Sequence, residues 1–226
     1  MKKTTLFMTT ALLFVGITSL QAAEKKGAKP DDSPGWLVIE DDLWVPWRYE
    51  AIDWLHDAQV HYRAKEEKAA ANELKKAEMW LRFAASHAYP ETKKSLEKAA
   101  DDLHTLHMDI GKGKIVSASL LDYAMSSADH ALAEWHYFKA KDALGKSDEK
   151  TAAQHIQTAA RYLQNAADSA HYEYGDDAVT FFDDVDKYGD FLDEDVVYDA
   201  NELGDDLTSL HSAVQKMEDV LKKASK

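Results

Sequence analysis

Histidine and carboxylate side chains at helical spacing are the residues of this sequence that could do chemistry. The densest group is the run DDLHTLHM, in which Asp101, His104, His107 and Met108 follow one another within eight residues. Residues three or four apart lie on one face of a helix, so these side chains could share one ion. Imidazole with carboxylate suits zinc, nickel or iron, and imidazole with thioether suits copper. The run predicts a transition-metal site.

His130 and Glu134 form a second candidate metal-binding pair, because they are four residues apart. His136 falls on a different face of the same predicted helix, so the three side chains cannot converge locally. Two further Asp-x-x-His pairs, Asp53/His56 and Asp168/His171, have the spacing of a shared helix face. The alternative interpretation is that the ten histidines flank the core, with one ring edge buried and the other in water.

Several classes of function are excluded or disfavoured by what the sequence lacks. It contains no cysteine, which removes thiolate nucleophiles, thiolate metal ligands, disulfides and CxxCH haem attachment. It contains no GxSxG motif and no glycine-rich phosphate loop, so no catalytic residue is predicted and a non-enzymatic protein is favoured. A formal charge of −14 argues against binding to nucleic acid or to anionic lipid surfaces.

The first 22 residues have the layout of a secretory signal peptide. Lys2 and Lys3 precede the apolar core Leu6 to Ile17, and small residues follow, with Ala22 expected just before the cleavage point. The apolar core is shorter than the ~20 residues that a membrane-spanning helix needs. We expect a periplasmic or secreted protein without membrane insertion after cleavage. Cleavage would leave 204 residues and a charge of −16, since the leader carries Lys2 and Lys3.

A tryptophan-rich segment follows the predicted leader. Residues 24–35 are charged and contain Pro and Gly, which predicts a tether, and the next run is WLVIEDDLWVPW. Trp36, Trp44 and Trp47 could form a partner-binding surface, or they could belong to a strap whose rings pack onto the body of the protein.

Two later segments repeat one pattern in which alanine alternates with leucine or isoleucine. The steps of four and three place the residues on one stripe of a helix, and each position in the second segment lies 82 residues after its counterpart. The two stripes are Ala70, Leu74, Ala77, Leu81, Ala84 and Ala88, and Ala152, Ile156, Ala159, Leu163, Ala166 and Ala170. The preceding helices are predicted to correspond at an offset of 75, through His61-Tyr62 and His136-Tyr137, with the extra seven residues in the connection Asp142–Lys150.

This periodicity predicts an all-α fold, a bundle of long antiparallel helices built as a tandem repeat of two helical-hairpin units. The predicted organisation is a signal peptide over 1–22, a tether and Trp-rich strap over 23–45, a first helical unit over 46–113 and a second over 114–226. The helices are expected near 46–65, 68–88, 91–110, 114–144, 148–173, 177–193 and 196–223.

The C-terminal third is sharply acidic. Residues Asp184 to Asp195, DVDKYGDFLDED, loosely match a calcium-binding loop, with Gly189 at its sixth position. The same residues also fit a helical stripe with a solvated acidic face, which is the favoured interpretation.

The second half of the chain resembles the YfdX-type proteins, which are exported helical proteins of bacteria linked to stress responses. The resemblance rests on the predicted signal peptide, on KAKDALGKSDEKTAAQHIQTAARYL (Lys139–Leu163) and on FFDDVDKYGDFLDEDVVYDANELGDDL (Phe181–Leu207). It implies a periplasmic, oligomeric protein with a protective or client-binding role, and it carries over no functional residues.

Two functions follow as expectations. The first is an exported, non-enzymatic helical protein that binds a protein partner or client under stress. The alternative is a periplasmic metal-binding protein that uses the His, Asp and Met groups for copper, zinc, nickel or iron.

Overall fold

The computed structural model describes residues 50–186 and 198–225, which form seven α-helices and contain no strand. All of these helices belong to one compact unit. The prediction of an all-α fold with long helices is therefore confirmed. The helices are α1 (Glu50–Arg63), α2 (Glu67–Ser86), α3 (Pro90–Gly111), α4 (Ala118–Gly145), α5 (Glu149–Ser169), α6 (Asp176–Asp186) and α7 (Ala200–Ala224).

The helix starts are fixed by local chemistry. Asp148 accepts a hydrogen bond from the Thr151 backbone N–H, and Asp199 accepts from the first turn of α7. Pro90 is the first residue of α3. A backbone N–H at this position would have no acceptor within the helix, so the lack of one in proline costs no hydrogen bond. α4 begins at Ala118 and not at the predicted residue 114, because the Ser117 hydroxyl caps the Leu120 N–H.

The two alanine-rich stripes form the core faces of α2 and α5. Within the helices, every predicted stripe position is at most 1% exposed, as the periodicity predicts. Ala88 and Ala170 lie just beyond the helix ends and pack against the core as half-buried residues. The small side chains on these faces let neighbouring helices approach closely.

α4 is the central helix of the described part of the molecule. It packs most extensively against α5 and also contacts α1, α2, α3 and α7. Its buried residues lie around much of its circumference, and they include the fully buried Trp135. A helix that is apolar on most sides is typical of a buried position.

The turns α1–α2 and α4–α5 have the same length and the same backbone shape. Each connection has three residues, and its middle residue has a positive φ, 64° at Lys65 and 57° at Ser147. Lys65 and Ser147 are 82 residues apart, as are the ends of α1 and α4 at Arg63 and Gly145. The predicted offset of 75 with seven additional residues in Asp142–Lys150 is therefore wrong, because that connection is no longer than its counterpart.

Three of the sequence predictions lie outside the described residues: the signal peptide, the segment with Trp36, Trp44 and Trp47, and most of the calcium-like run. The first three residues of that run, Asp184 to Asp186, are described and belong to α6. None of the described helices combines the length and the apolar character that crossing a membrane requires.

Candidate metal centre

A carboxylate from α2 and two histidines from α3 meet on the face where these helices pack together. The His107 Nε2 atom lies 2.8 Å from Glu78 Oε2, and His104 Nδ1 lies 3.2 Å from each Glu78 oxygen. The two imidazole rings stand edge to face, with their centroids 5.0 Å apart. Because His104 and His107 are one turn apart on α3, both rings reach the same carboxylate.

The spacing of these three groups fits one small metal ion. One ligand atom from each of Glu78, His104 and His107 can be chosen so that all three lie within 4.8 Å of one another. Ligands about 2.0–2.1 Å from a tetrahedral zinc ion are separated by roughly 3.3 Å, close to the Glu–His distances here. Within 50–186 and 198–225 no other three histidines or carboxylates are grouped in this way.

Glu78 is held as an ionised carboxylate despite its burial. Burial alone would raise its pKa, but hydrogen bonds from Arg82 and His104, with their positive charges, outweigh it and leave the pKa of Glu78 below its ordinary value. The Arg82 Nε atom lies 2.8 Å from Glu78 Oε1. Arg82 thus engages one oxygen, while Oε2 faces His107. The hydrogen bond to Glu78 also raises the pKa of Arg82, so this guanidinium stays charged.

The predicted run from Asp101 to Met108 has separate roles in this arrangement. His104 and His107 contact Glu78 directly, whereas Asp101 accepts a 3.1 Å hydrogen bond from Arg82 and is mostly exposed. Met108, which follows His107 on α3, is 40% exposed. Asp101 therefore lies beside the three-residue group as a partner of Arg82.

The second predicted pair, His130 and Glu134, bonds to two different helices. His130 Nε2 lies 3.1 Å from the Val214 carbonyl oxygen of α7, to which it donates a hydrogen bond. Glu134 Oε2 accepts a 2.7 Å bond from the Ser95 hydroxyl of α3. Burial lowers the pKa of His130, which favours its neutral form. Each side chain thus has a structural partner of its own.

His136 lies on another face of α4, as the sequence analysis expected. Its Nδ1 atom is 2.9 Å from His155 Nδ1 of α5, and both rings are buried. One of these nitrogens must accept the hydrogen bond, so at least one of the two rings is neutral. The pair cross-links α4 and α5 inside the core.

The helical spacing predicted for Asp168 and His171 does not hold. α5 ends at Ser169, and His171 has a positive φ of 51° beyond the helix. Its Nε2 atom lies 3.5 Å from Asp122 Oδ2. The chain leaves the helix before His171 can share a face with Asp168.

Glu78 is the residue that the sequence analysis missed. Acidic residues are common in this chain, so one glutamate on α2 carries no signal by its type alone. Its position does carry a signal, because the equivalent position in the second repeated segment, 82 residues later, is Ala160, a buried alanine on the core side of α5. A charged side chain where the equivalent position holds a buried alanine indicates a special environment.

Comparison with known proteins gives no family, since no protein-family model, no curated protein and no solved structure matches this chain.

Proposed function

We propose that this protein binds a transition-metal ion, zinc foremost, through Glu78, His104 and His107. The observation that carries the proposal is the convergence of one buried carboxylate and two imidazoles at ligand spacing. Two nitrogens and one oxygen are hard to borderline donors that suit zinc, nickel or iron. A tetrahedral ion held by three protein ligands keeps a fourth position for water or for another donor.

The surroundings of Glu78 support metal binding over a purely structural role. An ion between Glu78 Oε2 and the histidine nitrogens replaces hydrogen bonds by coordination bonds, while Arg82 keeps its bond to Oε1. Arg82 orients the carboxylate, and Asp101 in turn orients Arg82. Outer partners of this kind fix a ligand's direction and tune the affinity for the metal. The half-exposed His104 gives the ion a route from solvent.

Zinc titration of the tag-free protein, in competition with a chromogenic chelator, tests this proposal. The expected result is one zinc ion per chain, with at least a hundredfold loss of affinity in a His104→Ala, His107→Ala double variant. The matched control is His56→Ala, which removes an exposed histidine outside the group and is expected to leave the affinity unchanged within about twofold.

Circular dichroism and thermal melting show whether the double variant is folded. Zinc is expected to raise the melting temperature of the wild-type protein, because an ion bound only by the native state stabilises it. Wild-type affinity no tighter than that of the folded double variant would overturn the proposal.

We also propose that the protein is exported and that two of its helical hairpins arose by internal duplication. The equal offset of 82 for helix ends, turns and core stripes supports an origin of α1–α2 and α4–α5 as copies of one hairpin. The layout of residues 1–22 supports secretion, and a mature protein that begins at Ala23, measured by intact mass, would test it.

Binding of a partly folded client protein is a second proposal, supported by apolar side chains exposed near the start of α4. Ile115 is 96% exposed, and Leu120 is 50% exposed at the edge of a groove of about 220 Å³ that Val116 and Tyr123 also line. Exposed apolar patches of this kind mark interaction surfaces. Suppression of the aggregation of reduced α-lactalbumin tests it. An Ile115→Ser, Leu120→Ser variant as effective as wild type would contradict it.

A further inference from the structure

A second cavity, separate from the metal centre, lies where α1, α4 and α5 meet. It has a volume of about 280 Å³ and is open to solvent. This volume lies just below the ~300–1,000 Å³ range that is typical of ligand pockets. The cavity contains no part of α2 or α3, so a ligand here would not contact Glu78, His104 or His107.

A buried carboxyl group forms part of the cavity wall. Asp129 of α4 is 2% exposed, and its Oδ1 atom has no hydrogen-bond partner among the described residues. Buried polar groups in proteins are nearly always paired, so an unpaired one inside a cavity indicates a functional site. Burial also raises the pKa of Asp129 well above its ordinary value. A positively charged partner would reverse this penalty, because it stabilises the ionised carboxylate.

The rest of the wall defines the chemistry of a suitable ligand. Leu55 and Met125 supply apolar surface next to Asp129, which suits an alkyl chain. Asp168 adds a second carboxylate at an exposed position, and Arg63 is the cation of the lining. Acidic side chains thus outnumber the permanently cationic ones in the lining. The most buried of these ionisable side chains is Asp129, which is acidic. A small molecule with a short apolar chain and one ammonium group matches this wall.

Metal binding is a poorer explanation of this cavity. His56 and His171 also line it, but neither belongs to a group of three close ligand atoms within the described chain. His56 and His171 therefore line the cavity without forming a three-ligand group like that of Glu78, His104 and His107.

We propose that the cavity between α1, α4 and α5 is a binding site for a small alkylammonium ligand, whose charged nitrogen pairs with Asp129 and whose chain packs on Leu55 and Met125. The ammonium would donate hydrogen bonds to the Asp129 carboxylate, and the ion pair would form where few waters compete with it.

Calorimetric titration of the full chain with butylammonium, 1,4-diaminobutane and neutral 1-butanol tests this proposal. Both ammonium compounds are expected to bind at millimolar or lower concentration, and 1-butanol at least tenfold more weakly. Asp129→Asn keeps the size of the side chain and removes its charge, so we expect a tenfold or greater loss of ammonium binding. Asp219→Asn is the matched control, because it removes the same charge from an exposed position of α7 outside the cavity. We expect less than a threefold effect.

A second variant keeps the test decisive if Asp129→Asn does not fold. Ser169→Phe fills the cavity from the half-exposed end of α5 and leaves Asp129 in place. It is expected to abolish ammonium binding in a protein whose circular dichroism is unchanged. Three results would each overturn the proposal: no ammonium binding up to 10 mM, equal binding of 1-butanol, or full binding by the folded Asn or Phe variant.

Discussion

The surroundings of two buried carboxyl groups in this protein shift their pKa values in opposite directions. Glu78 is surrounded by Arg82 and two histidines, and its pKa is lowered although burial acts against this. Asp129 has no ion pair with any described residue, and burial raises its pKa. The ionised form of Glu78 therefore adds stability above its unfolded pKa, whereas ionisation of Asp129 opposes folding as the pH rises. The first is suited to a metal ion, the second to an organic cation.

At the residue scale we expect Glu78→Gln to lower the free energy of unfolding by about 1–3 kcal/mol at pH 7, because the variant loses charge-assisted hydrogen bonds to Arg82 and His107. The folded pKa of Glu78 lies below 4.5, so its contribution is present above that pH and is lost as the pH falls through the folded pKa. Urea unfolding of both proteins from pH 7 down to pH 3 measures the difference, which is expected to shrink below pH 4.5.

Glu97→Gln is the control for this prediction, since Glu97 forms an exposed ion pair with Lys93 at 3.9 Å. Exposed pairs contribute about 0–1 kcal/mol, so a small effect is expected at every pH. A Glu78→Gln difference that stays the same at pH 7 and pH 3 would contradict a role for the carboxylate charge.

The histidines of the candidate metal centre could be predicted from the sequence, but their carboxylate could not. His104 and His107 are found by the i, i+3 rule because they share one helix. Glu78 lies 26 residues before His104, and only the packing of α2 on α3 brings it there. Local periodicity carries no information about which glutamate faces a neighbouring helix, and Asp101, the carboxylate with the right spacing, bonds to Arg82 instead.

At the scale of helices and turns, the core-facing stripes were predictable and the helix ends less so. Periodicity depends on the helix itself, whereas a helix end depends on one capping group or one backbone angle. Ser117 delays the start of α4, and His171, with its positive φ, lies just beyond the end of α5. The predicted offset of 75 rests on the match of His61-Tyr62 with His136-Tyr137, which lie at different distances from the ends of α1 and α4 and are not equivalent positions. In α1 and α4 the buried pairs Ala51/Ala133, Leu55/Tyr137 and Ala58/Ala140 lie 82 apart.

The two equivalent turns lead to a prediction about their backbones. Lys65 and Ser147 adopt a left-handed conformation that costs an ordinary residue about 1–2 kcal/mol, and glycine adopts it freely. We therefore expect Lys65→Gly and Ser147→Gly each to raise the free energy of unfolding by about 0.5–1 kcal/mol, measured by urea unfolding. Lys75→Gly, at an exposed position inside α2, is the control and should lower it by about 1 kcal/mol. Turn variants as unstable as this control would contradict the prediction.

At the scale of the whole molecule, the two proposed sites depend on different sets of helices. The metal centre lies between α2 and α3, and the ammonium cavity lies between α1, α4 and α5. α4 contacts both sets, because it packs on α1, α2, α3 and α5. A rigid α4 would hold the Asp129 side chain in the cavity wall, with its Oδ1 atom buried and without a hydrogen-bond partner among the described residues.

Hydrogen exchange measured by mass spectrometry tests this rigidity. We expect the slowest amides in α4 and α5, which share the largest helix–helix contact, and the fastest helical amides in α6. The described part of α6 packs on α5 and α7 much less extensively than α4 packs on α5, so opening it breaks few contacts. α7 is the internal control, because it is long and contacts both α4 and α5. Exchange in α4 as fast as in α6 would contradict a rigid α4, and the burial of Asp129 would then not be a fixed feature of the cavity wall.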